Sequence, residues 1–262
     1  MDLIAARSIF SPATGYIRRG GFDWTCNPYV GCTFGCTYCY AMFLPQNRRP
    51  KEDWGRWFQA KQNAVELARR VAPKLAVQAL YLSSVTDPYL PAERSLFLTR
   101  SILEAVAPHQ PRLLVQTRGP LVVRDIDVLR QFHRLRVNIS IPTDSEEVRQ
   151  VFEPKAPPLE KRWAAAAELR WAGLAVGLCL TPLLPLADPN RFAERVAAFR
   201  PDVLVVQDFH DAEGRFGADT GPTARRLLGS SGWSAADYQA FRDHLRDRLA
   251  RVHEGESGFF PP

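Results

Sequence analysis

The sequence predicts an α/β fold, a partial (βα)6 TIM-like barrel of parallel strands with a C-terminal helical cap. Three observations predict it. Short apolar runs alternate with helical patterns, which implies a parallel sheet. There are about six such βα units, too few to close an eight-stranded barrel, so the barrel is expected to stay open. The runs also end in polar residues, as strands do when they deliver side chains to one shared mouth.

A first strand is expected near Asp23–Val30. The others are Ala76–Ser83, Arg112–Thr117, Leu135–Ile141, Leu174–Leu180 and Asp202–Asp208. Between them the pattern predicts helices over Asn63–Val71, Glu93–Ala107, Arg124–His133, Leu159–Ala172 and Pro189–Phe199. Asn63 followed by Glu66 reads as a capping pair, and Gly173 stands where a helix C-cap is expected. Ser234–Glu254 reads as one long amphipathic helix, with Tyr238, Phe241, Leu245, Leu249 and Val252 on the side that packs. The expected organisation is an N-terminal extension over 1–20, the barrel over 21–212 and a helical extension over 213–262. No internal repeat or low-complexity tract interrupts it.

With 262 residues, 46% hydrophobic and 24% charged, the chain can bury one large core and reads as an ordinary soluble protein. No apolar run approaches membrane-spanning length, and Met1 to Phe10 is too short and too charged for a signal peptide. Five cysteines, three of them clustered, suit a reducing compartment, so a cytoplasmic location is expected. The net charge of +6, carried mostly by arginine, favours a polyanionic partner such as nucleic acid. Arg18-Arg19, Arg48-Arg49-Lys51 and Arg225-Arg226 are the local clusters. The second, just after the cysteines, is the best candidate for phosphate contacts.

Cys32, Cys36 and Cys39 lie within eight residues. Three thiolates at this spacing can hold three irons of a [4Fe–4S] cluster and leave the fourth iron open to a substrate or cofactor; an electron-transfer cluster normally takes four cysteines. The competing reading is a closed zinc site, with Cys26 as the fourth thiolate, but no second spaced pair follows.

With Tyr38 at the aromatic place of C-x3-C-x-Φ-C, the run resembles the radical S-adenosylmethionine (SAM) superfamily. Asn27-Pro28-Tyr29-Val30-Gly31-Cys32 through Cys36-Thr37-Tyr38-Cys39-Tyr40-Ala41 is similar, more narrowly, to the branch containing spore photoproduct lyase. The resemblance runs from about residue 20 to about residue 210. It implies a partial barrel, a [4Fe–4S] cluster on Cys32, Cys36 and Cys39, bound SAM, and an external electron donor such as a flavodoxin or ferredoxin. A reduced cluster would cleave SAM to a 5′-deoxyadenosyl radical. The resemblance further implies that Ser83, Ser84 and Asp87 meet the methionyl amine in place of a common glycine-glycine-glutamate. Arg118, where relatives often have Lys, would clamp the carboxylate. Ser140 or Asn138 would meet the ribose or carboxylate, and Tyr38 the adenine.

In the lyase, a cysteine near the end of the second strand returns hydrogen to substrate with help from tyrosines flanking the third cluster cysteine. Tyr38 and Tyr40 match those tyrosines. The cysteine is replaced by Leu82-Ser83-Ser84, and a serine O–H bond is too strong to serve. Tyr40, Cys26 or Cys179 is then the candidate donor. The expected substrate is a DNA photolesion or another nucleic-acid base. The alternatives are a radical SAM enzyme acting on a small molecule or peptide, and a non-catalytic four-cysteine module. Glu153 and Lys155 face substrate or form a rigid helix entry, and His210 is a proton donor or a surface residue.

Overall fold

The computed structural model describes residues 2–45, 47–209 and 221–262; His210 lies outside the described residues. Its strands are β1 (Asp2–Ile4), β2 (Phe10–Pro12), β3 (Trp24–Cys26), β4 (Tyr29–Gly31), β5 (Phe58–Lys61), β6 (Ala79–Leu82), β7 (Arg112–Thr117), β8 (Leu135–Ser140), β9 (Ala175–Leu180), β10 (Val203–Val206) and β11 (His253–Glu254). The main sheet has the order β11-β10-β9-β8-β7-β6-β3-β2, and β1, β5 and β4 form a second, small sheet. From β3 through β6, β7, β8 and β9 to β10 every neighbouring pair is parallel, giving the expected six-stranded open barrel. β2 adds antiparallel to one edge and β11 parallel to the other.

Alternation along the strands separates two cores. Tyr81, Leu114, Cys179, Val203 and Val205 gather inside the barrel with Phe22 and Phe259. Leu80, Leu82, Leu113, Val115, Val137, Ile139 and Leu178 point the other way, into the layer between sheet and helices. β8 is buried at every residue, as a strand covered on both faces must be. The flanks of the two sheet edges meet: Arg19 Nε donates to Glu256 Oε2 at 2.8 Å, and a side chain at Gly20 would collide with the Phe259 carbonyl.

Four expected element bounds are corrected. The first strand is two, β3 in the barrel and β4 in the small sheet, because Pro28 offers no N–H to continue the ladder. The helix over Glu93–Ala107 is interrupted at Phe97 (φ +49°), giving Glu93–Leu96 and Leu98–Val106. There the Glu93 carboxylate accepts from Thr99 N at 2.7 Å, and the Arg124 guanidinium lies 4.6 Å from the Phe97 ring centre. Over Arg124–His133 only Ile126–Leu129 is α-helical. The terminal helix spans Ala235–Arg246, opened by the capping box of Ser234 and Asp237, and His253–Glu254 beyond it pairs with β10.

Asn63 precedes its helix without capping it. Its amide instead exchanges two 2.9 Å hydrogen bonds with the backbone of Ala6. Gly173 (φ +82°) follows the helix Leu159–Trp171 as expected, and Pro189–Phe199 is helical end to end.

Phe241 of the terminal helix stacks on Phe192 with ring centres 5.7 Å apart and planes 11° apart, docking that helix on the barrel layer. Phe241→Ala is expected to destabilise the full chain by about 3–5 kcal/mol in chemical denaturation, through lost burial and a residual cavity.

Candidate active site

At the C-terminal ends of the barrel strands lies a cavity of about 740 Å3, lined by Cys32, Cys36 and Cys39 on one side. The cysteine loop follows β4 and is held by its neighbours. Thr37 N donates to Phe152 O at 2.9 Å, Lys155 N to Phe34 O at 3.2 Å and Thr86 Oγ1 to Gly31 O at 2.6 Å. Gly35 (φ +66°) meets Gly55 (φ +87°) so closely that a Cβ on Gly55 would lie 2.6 Å from Gly35 Cα. Both positions need glycine, for conformation and for contact. Lys155 Nζ donates to Gly55 O at 2.8 Å, so this lysine ties the loop from behind.

The three thiols fit an iron–sulfur cluster better than a zinc tetrahedron. None is in a disulfide, and all three reach one cavity. Cys26 cannot close a fourth corner. It follows the inward-facing Thr25 on β3, so alternation turns it into the outer core, and it does not line the cavity. Burial pushes the Cys36 thiol up to about 12, so a bound metal must displace its proton.

Beside the cysteines stands an arginine–tyrosine wall organised by Glu153, whose side chain is fully buried. Its carboxylate accepts from Tyr38 OH and, at 2.8 Å, from Arg118 Nε, and it pairs with Arg162 at 2.5 Å. Arg118 Nη2 donates to Tyr38 OH at 3.0 Å, and its guanidinium lies 5.7 Å from the Tyr38 ring centre. Among the described residues Arg118 Nη1 has no hydrogen-bond partner, and Arg118 lines the cavity. Two guanidiniums against one carboxylate leave this wall cationic, suited to an anionic group of a ligand.

The loop after β6 forms the adjoining wall. Asn27 Oδ1 accepts from Ser83 Oγ (2.6 Å), Ser84 N (3.0 Å) and Val85 N (3.2 Å). Asp87 accepts from Tyr89 N, Thr117 Oγ1 and Arg118 N at 2.7–2.8 Å, so it anchors the Arg118 backbone as well as lining the cavity. Burial raises its pKa against those hydrogen bonds. Tyr40 OH donates to Ser84 O and stands 3.0 Å from Tyr16 OH.

Of the residues expected here, Cys32, Cys36, Cys39, Tyr38, Tyr40, Ser83, Ser84, Asp87, Arg118 and Ser140 share the cavity. Cys26, Asn138 and Cys179 do not line it. Asn138 sits deeper in the barrel, its Oδ1 taken by Arg136 Nε at 3.0 Å. Cys179 is fully buried behind Gln116, its Sγ 3.6 Å from Gln116 Oε1, and Gln116 Nε2 donates to Ser140 Oγ at 2.9 Å. Sequence reasoning gave no role to Asn27, Gln116 or Tyr16, and left Glu153 between two. The Asn27-Pro28 pair beside the motif was the available signal for Asn27; none marked Tyr16. The cluster around Arg49 is partly engaged within the chain, with Arg49 paired to Asp2 at 2.5 Å and 4.8 Å from the Trp57 ring centre.

Burial pushes the Glu153 carboxyl up, but Arg162 and Arg118 outweigh it and hold the group at about 2, below its ordinary 4.5. Because folding lowers this pKa, its stabilisation is complete above pH 4.5 and is lost as pH falls through about 2. Glu153→Gln is expected to cost about 3–5 kcal/mol at pH 7, leaving two buried cations unpaired. In urea titrations the gap from wild type should narrow only below pH 4.5.

The sequence profile of the radical SAM superfamily matches residues 26–195, well over half of the chain. An uncharacterized protein of Methanocaldococcus jannaschii is 32% identical over 165 residues, 63% of this chain and 62% of that protein. One from Acidianus two-tailed virus is 30% identical over 197 residues, 69% of this chain and 64% of that protein. A radical SAM Nα-GlyT isomerase of Pseudomonas phage M6 is 27% identical over 186 residues, 69% of this chain and 38% of that protein. The chain thus spans less than two-thirds of the length of these curated relatives. Among solved structures, a spore photoproduct lyase variant with bound AdoMet and dinucleoside spore photoproduct superposes with TM-score 0.65 at 15% identity, covering 96% of this chain and 80% of that one. Streptococcus suis SuiB bound to S-adenosylmethionine gives 0.58 at 11% identity, covering 88% and 49%. Profile, cysteine loop and open barrel agree: the chain belongs to the radical SAM superfamily.

Proposed function

We propose that the chain is a radical SAM enzyme that holds a [4Fe–4S] cluster on Cys32, Cys36 and Cys39 and acts on a nucleobase within nucleic acid. The observation that carries this reading is one cavity that joins three thiols to the cationic Arg118–Tyr38 wall. When bound, cluster and SAM supply a reductively generated 5′-deoxyadenosyl radical. The chain's own residues bind, orient and shield. Arg118 offers Nη1 to the methionyl carboxylate, with its other edge fixed by Glu153. Ser83 and Ser84 are oriented by Asn27 toward the amine, Ser140 serves the ribose, and the Tyr38 ring meets the adenine. Phe34, within the cysteine loop, is buried on the cavity wall and helps keep water from the thiols.

The nucleobase reading is supported by an uncharged remaining wall, where the Asn27 and Gln116 amides each keep one N–H beyond their bonds to Ser84 and Ser140 and the Thr25 hydroxyl keeps its acceptor lone pairs. Such groups satisfy the donor and acceptor edges of a base. The arginine-rich charge of +6 favours a polyanion, and a structural neighbour is named for a bound dinucleoside. The electron donor would be a small flavodoxin or ferredoxin, and the location cytoplasmic.

The test is anaerobic reconstitution, electron paramagnetic resonance with and without SAM, and chromatography of 5′-deoxyadenosine. A reduced-cluster signal altered by SAM, with 5′-deoxyadenosine formed, is the expected result. Consumption of ultraviolet-irradiated DNA, but not of peptides or free nucleosides, supports the substrate class; the reverse assigns a small substrate. Replacing Cys32, Cys36 or Cys39 by Ala should abolish iron retention, whereas Cys26→Ala should retain it. Arg118→Lys is expected to weaken SAM binding about tenfold, about 1.4 kcal/mol, by removing the fork that Glu153 holds.

A further inference from the structure

Tyr16 lies in the short helix Gly15–Arg19, outside the span matched by the superfamily profile. The fold nevertheless brings its hydroxyl to 3.0 Å from that of Tyr40. Their rings meet edge to face with centres 6.2 Å apart, and both line the cavity. A phenol has one O–H, and Tyr40 directs its own to the Ser84 carbonyl. In the tyrosine pair Tyr40 must therefore accept and Tyr16 donate. The outcome is a directed chain from Tyr16 O–H to Tyr40 O–H to Ser84 C=O. Tyr38 is not joined to this chain: its hydroxyl bonds Glu153 and Arg118 instead. Among the described residues no thiol lines the cavity apart from the three cysteines of the loop.

We propose that Tyr16 is the second station of a hydrogen-atom relay headed by Tyr40; the inference rests on the radical SAM reading. A carbon radical in the cavity takes the Tyr40 hydrogen: one C–H bond forms, the Tyr40 O–H bond breaks, and a neutral phenoxyl remains. Tyr16 then passes its hydrogen atom along the existing hydrogen bond. The Tyr40 O–H bond re-forms and the phenoxyl moves to Tyr16. Transfer between two phenols breaks and makes the same kind of bond, so neither direction is strongly uphill. One electron from a low-potential flavodoxin- or ferredoxin-class donor and one solvent proton restore Tyr16.

The experiment uses the reconstituted full chain, reduced with dithionite and supplied with SAM in D2O with no other substrate. Mass spectrometry measures the fraction of 5′-deoxyadenosine carrying deuterium, and freeze-quenched samples are examined by deuterium electron–nuclear double resonance. Wild type is expected to give deuterated 5′-deoxyadenosine and a tyrosyl signal coupled to an exchangeable deuteron. Tyr40→Phe should lower the deuterated fraction by about tenfold. Tyr16→Phe preserves ring packing; it should lower that fraction about threefold on repeated turnover and remove the deuteron coupling. A Tyr16→Phe protein with wild-type deuteration and coupling overturns the relay and leaves the proposed function standing. Wild type that makes 5′-deoxyadenosine without deuterium does the same. Wild type that makes no 5′-deoxyadenosine overturns both.

Discussion

The site depends on one buried carboxylate. Glu153 is out of contact with water, and an isolated charge there would be strongly unfavourable. Two guanidiniums and a phenol converge on it, and their convergence sets where Arg118 and Tyr38 point. The same stretch of chain also grips the cysteine loop, through Phe152 O to Thr37 and Lys155 N to Phe34. One loop thus positions both the thiols and the cationic wall. A hydrophobic replacement of the network could be as stable. It would lose the directed guanidinium edge, so the network is explained by the site rather than by stability.

Strand alternation is the second constraint. Inward positions supply Thr25, Tyr81, Gln116 and Ser140 to the cavity, while their neighbours Cys26, Leu82, Val115 and Ile139 build the outer core. Depth along a strand matters as much as face. Ser140 reaches the cavity, and Asn138, two residues earlier, stays below it against Arg136. The loop after β6 is shaped by Asn27, which spends one amide oxygen on three consecutive residues.

The barrel was legible because its strands are short apolar runs closed by polar ends, a pattern that survives without tertiary information. The cysteine triad was legible because its spacing is local. Residues at strand ends, such as Arg118 and Ser84, inherited their place from the strands. What stayed hidden depends on contacts between distant residues. Tyr38 and Glu153 are 115 residues apart, and Asn27 and Ser83 are 56 apart. Cys26 was ambiguous because one residue of register decides which face it occupies. The interruption at Phe97 is imposed by Glu93 and Arg124, which the helical pattern cannot reveal, and the last strand pairs only because β10 leaves an open edge.

Mössbauer spectroscopy of protein reconstituted with 57Fe tests the central claim most directly. A three-thiolate [4Fe–4S] cluster has one iron without a protein ligand. The account predicts that this one site alone changes its spectrum when SAM is added. Irons that stay equivalent and unaltered by SAM, or a protein that takes up zinc and no cluster, would contradict it.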